Sequence, residues 1–315
     1  MGISNIYKRL ALTSPYIEVM LRSLYWHNVK RLKKYSPNEH SIPIVEKPNV
    51  DFNKITAWLK EQGISEGALI VVHSSYDAIS NCGLRPNEII RELRTLIGEG
   101  GTLAMPVIRR YKEMPDPTEW LKTDFSKITC HYDPKRTPVT TGLIPSMLMR
   151  EKDACISLHP LNTMAAVGPL AETMMEHNLD GEKPTPHGPN SSWKFCADHN
   201  AYIIALGVNM AHHLTMGHVY EENCIDWPFK DWYNELQFDI VMPDKTIKRQ
   251  VVRDRKPKWG FIHDAELNLE NELRKAKVMK EAEIEGVEMG IMRASDLMNF
   301  FSNMKHKGFP YYKFL

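Results

Sequence analysis

The stretch TMGHVYEEN, Thr215 to Asn223, places His218 three residues before Glu221. If a helix begins near Thr215, the two side chains occupy neighbouring positions on one face. A carboxylate that holds one imidazole nitrogen fixes the ring's tautomer and leaves the other nitrogen to take a proton near neutral pH. That is what a general base needs. An isolated pair of this kind is also commonly a weak surface contact, so spacing alone leaves both readings open. His212, His213 and Cys224 stand close by. There is no HExxH, however, and adjacent histidines point to different sides of an element, which argues against a metal site.

Three further stretches gather polar groups at element boundaries. In VVHSSYDAISNCGL, Val71 to Leu84, an apolar run ends in Ser74 and Ser75 before a Gly-containing turn. The crevice beyond a strand's C-terminal end is where α/β sheets bind ligands, although serines there also simply cap turns. SLHPLNTMAAVGPLAE (157–172) and TPHGPNSSWKF (185–195) place Pro and Gly around His159 and His187. Proline close behind each histidine holds it in extended or turn backbone without assigning it a task. No GxSxG, Walker loop or GxGxxG occurs. The glycines of GEGGTLAM precede a strand instead of following one, so nicotinamide chemistry and P-loop phosphoryl transfer are disfavoured, as is a serine hydrolase.

The elements that must position these residues alternate. FNKITAWLKEQG reads as a helix, ALIVVH as a buried strand, RPNEIIRELRTLIGEGG as a helix opening with Pro86, and TLAMPV as a strand. TTGLIPSMLMRE and GPLAETMMEH read as helices, AYIIALGV as a strand and LTMGHVYEEN as a helix. LQFDIVMP and KRQVVRD suggest antiparallel strands, and HDAELNLENELRKAK and ASDLMNFFSNM complete the helices. Strands separated by helices predict an α/β sheet that is at least partly parallel. Arg109 to Pro138 is long enough to suggest a binding lid.

The chain has 315 residues, enough to bury a sizeable core, and its composition is that of a globular protein. No apolar run is long enough to span a membrane, the first residues lack the pattern of a signal peptide, and a cytoplasmic protein is expected. Five widely spaced cysteines argue against a disulfide framework. Residues 1–35 carry Lys8, Arg9, Arg22, Lys30, Arg31, Lys33 and Lys34 against Glu18 alone, although the whole chain balances at +1. Residues 1–48 are therefore read as a basic helical arm and linker, and 49–315 as one domain. The arm's stripe of Ile17, Met20, Leu21, Leu24 and Tyr25 suits either an interfacial helix on anionic lipid or glycolipid, or packing on the body or a partner subunit. The body carries no basic footprint for nucleic acid.

Taken in order, VVHSS, GEGGTLAMP, YDPKRTPVTTGLIPSMLM, SLHP…AAVGPLAE, TPHGPNSSW, YIIALGV and TMGHVYEE resemble the aminoglycoside 3-N-acetyltransferase family, also called the antibiotic N-acetyltransferase family. The resemblance runs from about Asp51 to Ser302. It implies an α/β/α sandwich with a mixed central sheet, distinct from the common GNAT acetyltransferase fold. It also implies acetyl-coenzyme A, or another acyl-coenzyme A, as co-substrate, transfer to an amine of an amino sugar, and no metal. Carried onto this chain, the family's catalytic histidine falls on His218 and its acid on Glu221. Coenzyme contacts fall on Ser74, Ser75, His159, Thr163, Pro186, Gly188 and Ser191. Asn162 and Thr163 stand where the family often has histidine and serine, Ile156 where it often has arginine, and His187 where an aromatic residue is usual.

The acceptor is less defined. Tyr220 to Glu235 interleaves Glu221, Glu222, Asp226 and Asp231 with Trp227, Phe229, Trp232 and Tyr233, which would suit a cationic sugar or form an amphipathic surface segment. The weakly acidic body, the basic arm and Arg109 and Arg110 point to an anionic, nucleotide- or lipid-linked amino sugar of glycan biosynthesis. Acetylation of an aminoglycoside, conferring antibiotic resistance, is the alternative. A non-catalytic coenzyme-binding relative is a third reading.

Overall fold

The computed structural model describes residues 10–32, 49–210, 213–227, 229, 231–261 and 263–304. His212 and the arm's Lys8, Arg9, Lys33 and Lys34 lie outside them. Among the described residues ten strands form two sheets. The larger sheet runs in the order β4 (Cys155–Ile156), β5 (Met164–Val167), β2 (Thr102–Pro106), β1 (Leu69–Ser74), β6 (Tyr202–Leu206), β10 (Val287–Arg293) and β9 (Lys280–Ile284). β1 pairs in parallel with both β2 and β6, while β5 meets β2 and β10 meets β6 antiparallel. The sheet is mixed, as expected.

Side chains alternate across the pleat, so each strand feeds two cores. Val71 packs on one face with Trp193, Cys196 and Phe301. Ile70 and Val72 pack on the other with Ile89, Leu93 and Ile144. The Val71 face is covered by α6 (Ala171–Glu176), α7 (Ser192–Asp198), α8 (Gly217–Asn223), α9 (His263–Lys275) and α10 (Ala294–Met304). The opposite face is covered by α2 (Phe52–Glu61), the short α3 (Tyr76–Ile79), α4 (Pro86–Ile97) and α5 (Leu143–Leu148). This is an α/β/α sandwich.

α4 shows how the sequence specifies such a layer. Pro86 opens the helix with φ already suited to it, and the Glu88 carboxylate accepts the Arg85 N–H at 2.7 Å. Ile89, Ile90, Leu93, Leu96 and Ile97 then recur on one face and are all buried. Each such side chain contributes roughly 1.5–3 kcal/mol by leaving water.

The smaller sheet is β3 (Thr129–Tyr132), β7 (Tyr233–Val241) and β8 (Ile247–Arg255), with β7 and β8 antiparallel and β3 parallel to β7. Its β3 corrects the expectation that Arg109 to Pro138 is an open loop. TCHY has too short an alternation to announce itself, and its partner lies more than a hundred residues downstream. The short β4 and β5 and the C-terminal β9 and β10 are likewise absent from the elements expected from sequence.

The arm's helix, α1 (Pro15–Leu32), rests on the body. The Tyr16 ring lies 6.4 Å from Phe229 and 6.0 Å from Trp259, and Glu18 is fully buried and paired with Arg22 at 2.8 Å. Met20, Leu24 and Tyr25 of the arm's apolar stripe are exposed.

Leu93 is wholly buried between α4 and the sheet. Leu93→Ala should destabilise the protein by about 2–5 kcal/mol, read as a lower midpoint in urea unfolding with an unchanged slope. A loss below about 0.5 kcal/mol would mean that α4 is not the layer described.

Candidate active site

β1 lies between two parallel neighbours, β2 and β6, and a cleft opens at its C-terminal end. His73, Ser74 and Ser75 are delivered there. They line a cleft of about 440 Å³ together with Thr140, Thr141 and His213. His73 is buried, its ring 6.0 Å from Trp193 and 6.1 Å from His213. Burial, helped by His213, pulls its pKa down to about 3, so the ring is neutral. His73 Nε2 and Ser74 Oγ are buried without a hydrogen-bond partner among the described residues. Buried polar atoms left unpaired are costly, and a ligand with amide and carbonyl groups would satisfy them. A coenzyme's pantetheine arm meets that requirement.

α8 follows β6 and seats itself through Met216, Gly217 and Val219. A side chain at Gly217 would press on the Phe301 ring of α10, so the helix docks closely there. Within α8, His218 Nδ1 lies 2.7 Å from Glu221 Oε2. The His218 side chain keeps 22% of its surface in solvent, whereas that of Glu221 keeps 4%. An ionised carboxylate can only accept, so Nδ1 carries the hydrogen and Nε2 the lone pair. Arg255, on β8, reaches within 3.7 Å of the same carboxylate oxygen.

A second pair lies beside the first. Thr185 to Ser191 forms a turn that Ser191 closes by accepting the Lys194 N–H at 3.0 Å, capping α7. Gly188 is required within it, because a Cβ would fall 2.4 Å from Thr185 Oγ1. His187 points inward from the turn and is 2% exposed. Its backbone N–H donates to Glu222 Oε2 at 2.9 Å, and its Nδ1 lies 3.1 Å from Glu222 Oε1. Asn223 Nδ2 donates to the His187 carbonyl at 2.8 Å. The His187 and His218 ring centres are 5.1 Å apart.

The local charge is negative but balanced. Burial opposes ionisation of Glu222, yet the His187 ring and N–H and the Thr185 hydroxyl hold its carboxyl below the usual range. Burial and then the Glu222 charge push Asp254, on β8, up to about 6, against the pull of Arg255. Burial, Glu222 and Glu221 together raise Tyr233.

The structure brings Ser74 and Ser75 to the cleft, and pairs His218 with Glu221. His159 and Thr163, also expected to contact the coenzyme, are not among the residues that line the cleft. His159 is buried, with Nδ1 3.1 Å from the Leu161 carbonyl and Nε2 3.4 Å from that of Pro184. Burial drives it down to about 4. Thr163 Oγ1 donates within the same turn, to the carbonyls of His159 and Pro160. Both side chains are spent on holding that turn. Its tip is Asn162, which adopts φ 43°, a conformation Asn tolerates, and receives the Trp193 indole N–H at 2.7 Å. Pro186 and Ser191 are likewise buried within the His187 turn.

Two acceptor expectations are corrected. Arg109 is buried, donating to the carbonyls of Thr137 and Pro134, so it offers no cation to an anionic substrate. Phe229 and Trp232 are buried in an aromatic cluster with Trp259, against which α1 packs, so they offer no faces to a sugar. The sequence reading missed the pairing of His187 with Glu222, and also His73 and Asp254. HSS and EE were the visible signals, but which histidine meets which acid depends on contacts 35 residues apart.

The sequence matches the family described as aminoglycoside 3-N-acetyltransferase over residues 71–305, well over half the chain. Among curated relatives, aminoglycoside N(3)-acetyltransferase IX of Micromonospora chalcea is 28% identical over 173 residues, 51% of this chain and 60% of that protein. Aminoglycoside N(3)-acetyltransferase IV of Salmonella sp is 28% identical over 157 residues, 49% of this chain and 52% of that protein. These alignments thus span about half to two thirds of the relatives' length. Among solved structures, aminoglycoside acetyltransferase AAC(3)-IIb superposes with a TM-score of 0.64 at 22% identity, covering 82% of this chain and 97% of that one. AAC-IIIb bound to CoASH gives 0.63 at 17%, covering 82% and 96%. A histidine-to-alanine variant of AAC(3)-IVa in complex with a gentamicin gives 0.62 at 19%, covering 86% and 93%. At these identities the superpositions establish the shared fold.

Asp254 offers a test of the site's electrostatics. Its pKa is raised from 3.8 to about 6 on folding, so ionisation costs stability, fully above pH 6 and not at all below pH 4. Asp254→Asn should therefore stabilise the protein by on the order of 1–3 kcal/mol at pH 8, with the gain vanishing by pH 4. A pH-independent difference in unfolding midpoint would show that Asp254 is not buried against Glu222.

Proposed function

The chain belongs to the aminoglycoside 3-N-acetyltransferase family, and on that premise we propose that it transfers an acyl group from acyl-coenzyme A to an amine of an aminoglycoside-type amino sugar. The observation that carries the reading is the 2.7 Å contact between His218 Nδ1 and Glu221. It leaves Nε2 as a proton acceptor on a partly exposed ring. A protonated amine has no lone pair for attack, so a base must first remove a proton. His218 supplies that base. Glu221 fixes the tautomer and stabilises the imidazolium that forms, as a carboxylate does for a histidine base elsewhere.

Bound coenzyme supplies the thioester, an acyl group ready to be taken up by nitrogen. His73, Ser74 and Ser75, at the end of β1, would hold its arm. Ser74 Oγ has no hydrogen-bond partner among the described residues and can donate toward the negative charge that builds on the carbonyl oxygen. No protein nucleophile is required, so transfer is direct.

For the acceptor, local charge outweighs the chain average. Glu221, Glu222 and Asp254 lie close enough to perturb one another, which favours a cationic amine. The named relatives point to the same class. The glycan-biosynthesis reading drawn from the basic arm and Arg109 has no such support.

The test is release of coenzyme thiol from acetyl-coenzyme A with gentamicin or apramycin, with the product identified by mass. His218→Ala should lower kcat by about 10²–10⁴-fold while coenzyme affinity, measured by calorimetry, stays within a few-fold. A variant turning over at the wild-type rate would remove His218 from the chemistry.

A further inference from the structure

We infer that His187 is a second proton acceptor for this reaction, taking from the amine nitrogen the proton that His218 cannot hold. The inference rests on the acyl-transfer reading above. An amino-sugar amine arrives as an ammonium group with three N–H protons, and the amide product keeps one. As the N–C bond forms and the C–S bond breaks with its electrons leaving on sulfur, two protons must depart from nitrogen. One completes the coenzyme thiol, and the other goes to water. His218 can carry the first, accepting it as nitrogen attacks and returning it to sulfur. While it holds that proton it cannot take another.

The second acceptor is already built. Glu222 receives both the backbone N–H and Nδ1 of His187, so Nδ1 carries the hydrogen and the lone pair is confined to Nε2. Nε2 is buried and has no hydrogen-bond partner among the described residues. A tautomer-locked imidazole with an open nitrogen thus lies with its ring centre 5.1 Å from that of His218, packed on its other side by Trp193 at 5.8 Å. A nitrogen bound between the two rings could give one hydrogen bond to each. Glu222 and Glu221 from α8 place negative charge around the imidazolium that would form, His218 and His159 are its titratable neighbours, and Asp254, Arg255 and Tyr233 lie beyond them against Glu221 and Glu222. Burial keeps His187 neutral between turnovers, outweighing Glu222, so its lone pair stays available.

A packing role would require only the ring's shape, and that difference is measurable. His187→Phe preserves an aromatic ring of similar size and should lower kcat with gentamicin by about 10–100-fold, with KM for acetyl-coenzyme A unchanged within twofold. In His187→Ala, imidazole added to the buffer should restore at least a tenfold increase in rate. Independently of turnover, the imidazole ¹⁵N resonances of His187 in the wild-type protein should shift on adding gentamicin. Full activity in His187→Phe would overturn the inference, as would a folded His187→Ala that imidazole fails to restore. If neither variant folds, unshifted His187 resonances would decide against it. A wild-type enzyme that releases no thiol with any amine would bring down the acyl-transfer reading as well, whereas an active wild type beside an active His187→Phe sinks this inference alone.

Discussion

Two neighbouring carboxylates on one short helix organise the site. Buried carboxylates are tolerated only when they are paired, and Glu221 and Glu222 are paired with different elements. Successive helical side chains diverge by about 100°, so the two acids cannot share a partner. Glu221 holds His218 within α8 and draws in Arg255 from β8. Glu222 turns to the Thr185–Ser191 turn and clamps His187 through both side chain and backbone. The same two charges thus join α8 to the small sheet and to the turn that starts α7. They also leave both imidazoles with one defined tautomer.

The histidines of this protein divide by how much of their hydrogen-bonding capacity the fold consumes. His159 directs both ring nitrogens at backbone groups and is a scaffold for its turn. His73 and His187, both near the Trp193 ring, each keep one buried nitrogen unmatched among the described residues, a cost the fold carries. His218 alone among these has substantial exposure. Burial by itself would not separate these roles, because three of the four are almost fully covered.

Charge behaves in the same local way. The basic character of the arm and the weakly acidic character of the body are averages over groups spread along the sequence. The charges gathered at the site are Glu221, Glu222 and Asp254, offset by the Arg255 guanidinium. Arg109 illustrates how an average misleads, since its donors close the loop that carries it.

The main helices and central strands were legible because 3.6-residue and continuous apolar periodicities are local properties, strong in stretches such as Pro86–Ile97 and Leu69–Ser74. The ordered motifs likewise fixed the family and the pairing of His218 with Glu221, since three residues on one helix turn need no long-range contact. β3 and β5 were not legible, being four residues each and defined by partners distant in the chain. His187 with Glu222, the unmatched nitrogen of His73 beside Trp193, and the burial of Phe229 and Trp232 were decided only when separate segments packed. A sequence states which groups a chain owns and how neighbours along it face. The tertiary structure alone decides which are stripped of water together, and that desolvation gives a buried nitrogen or carboxylate its chemistry.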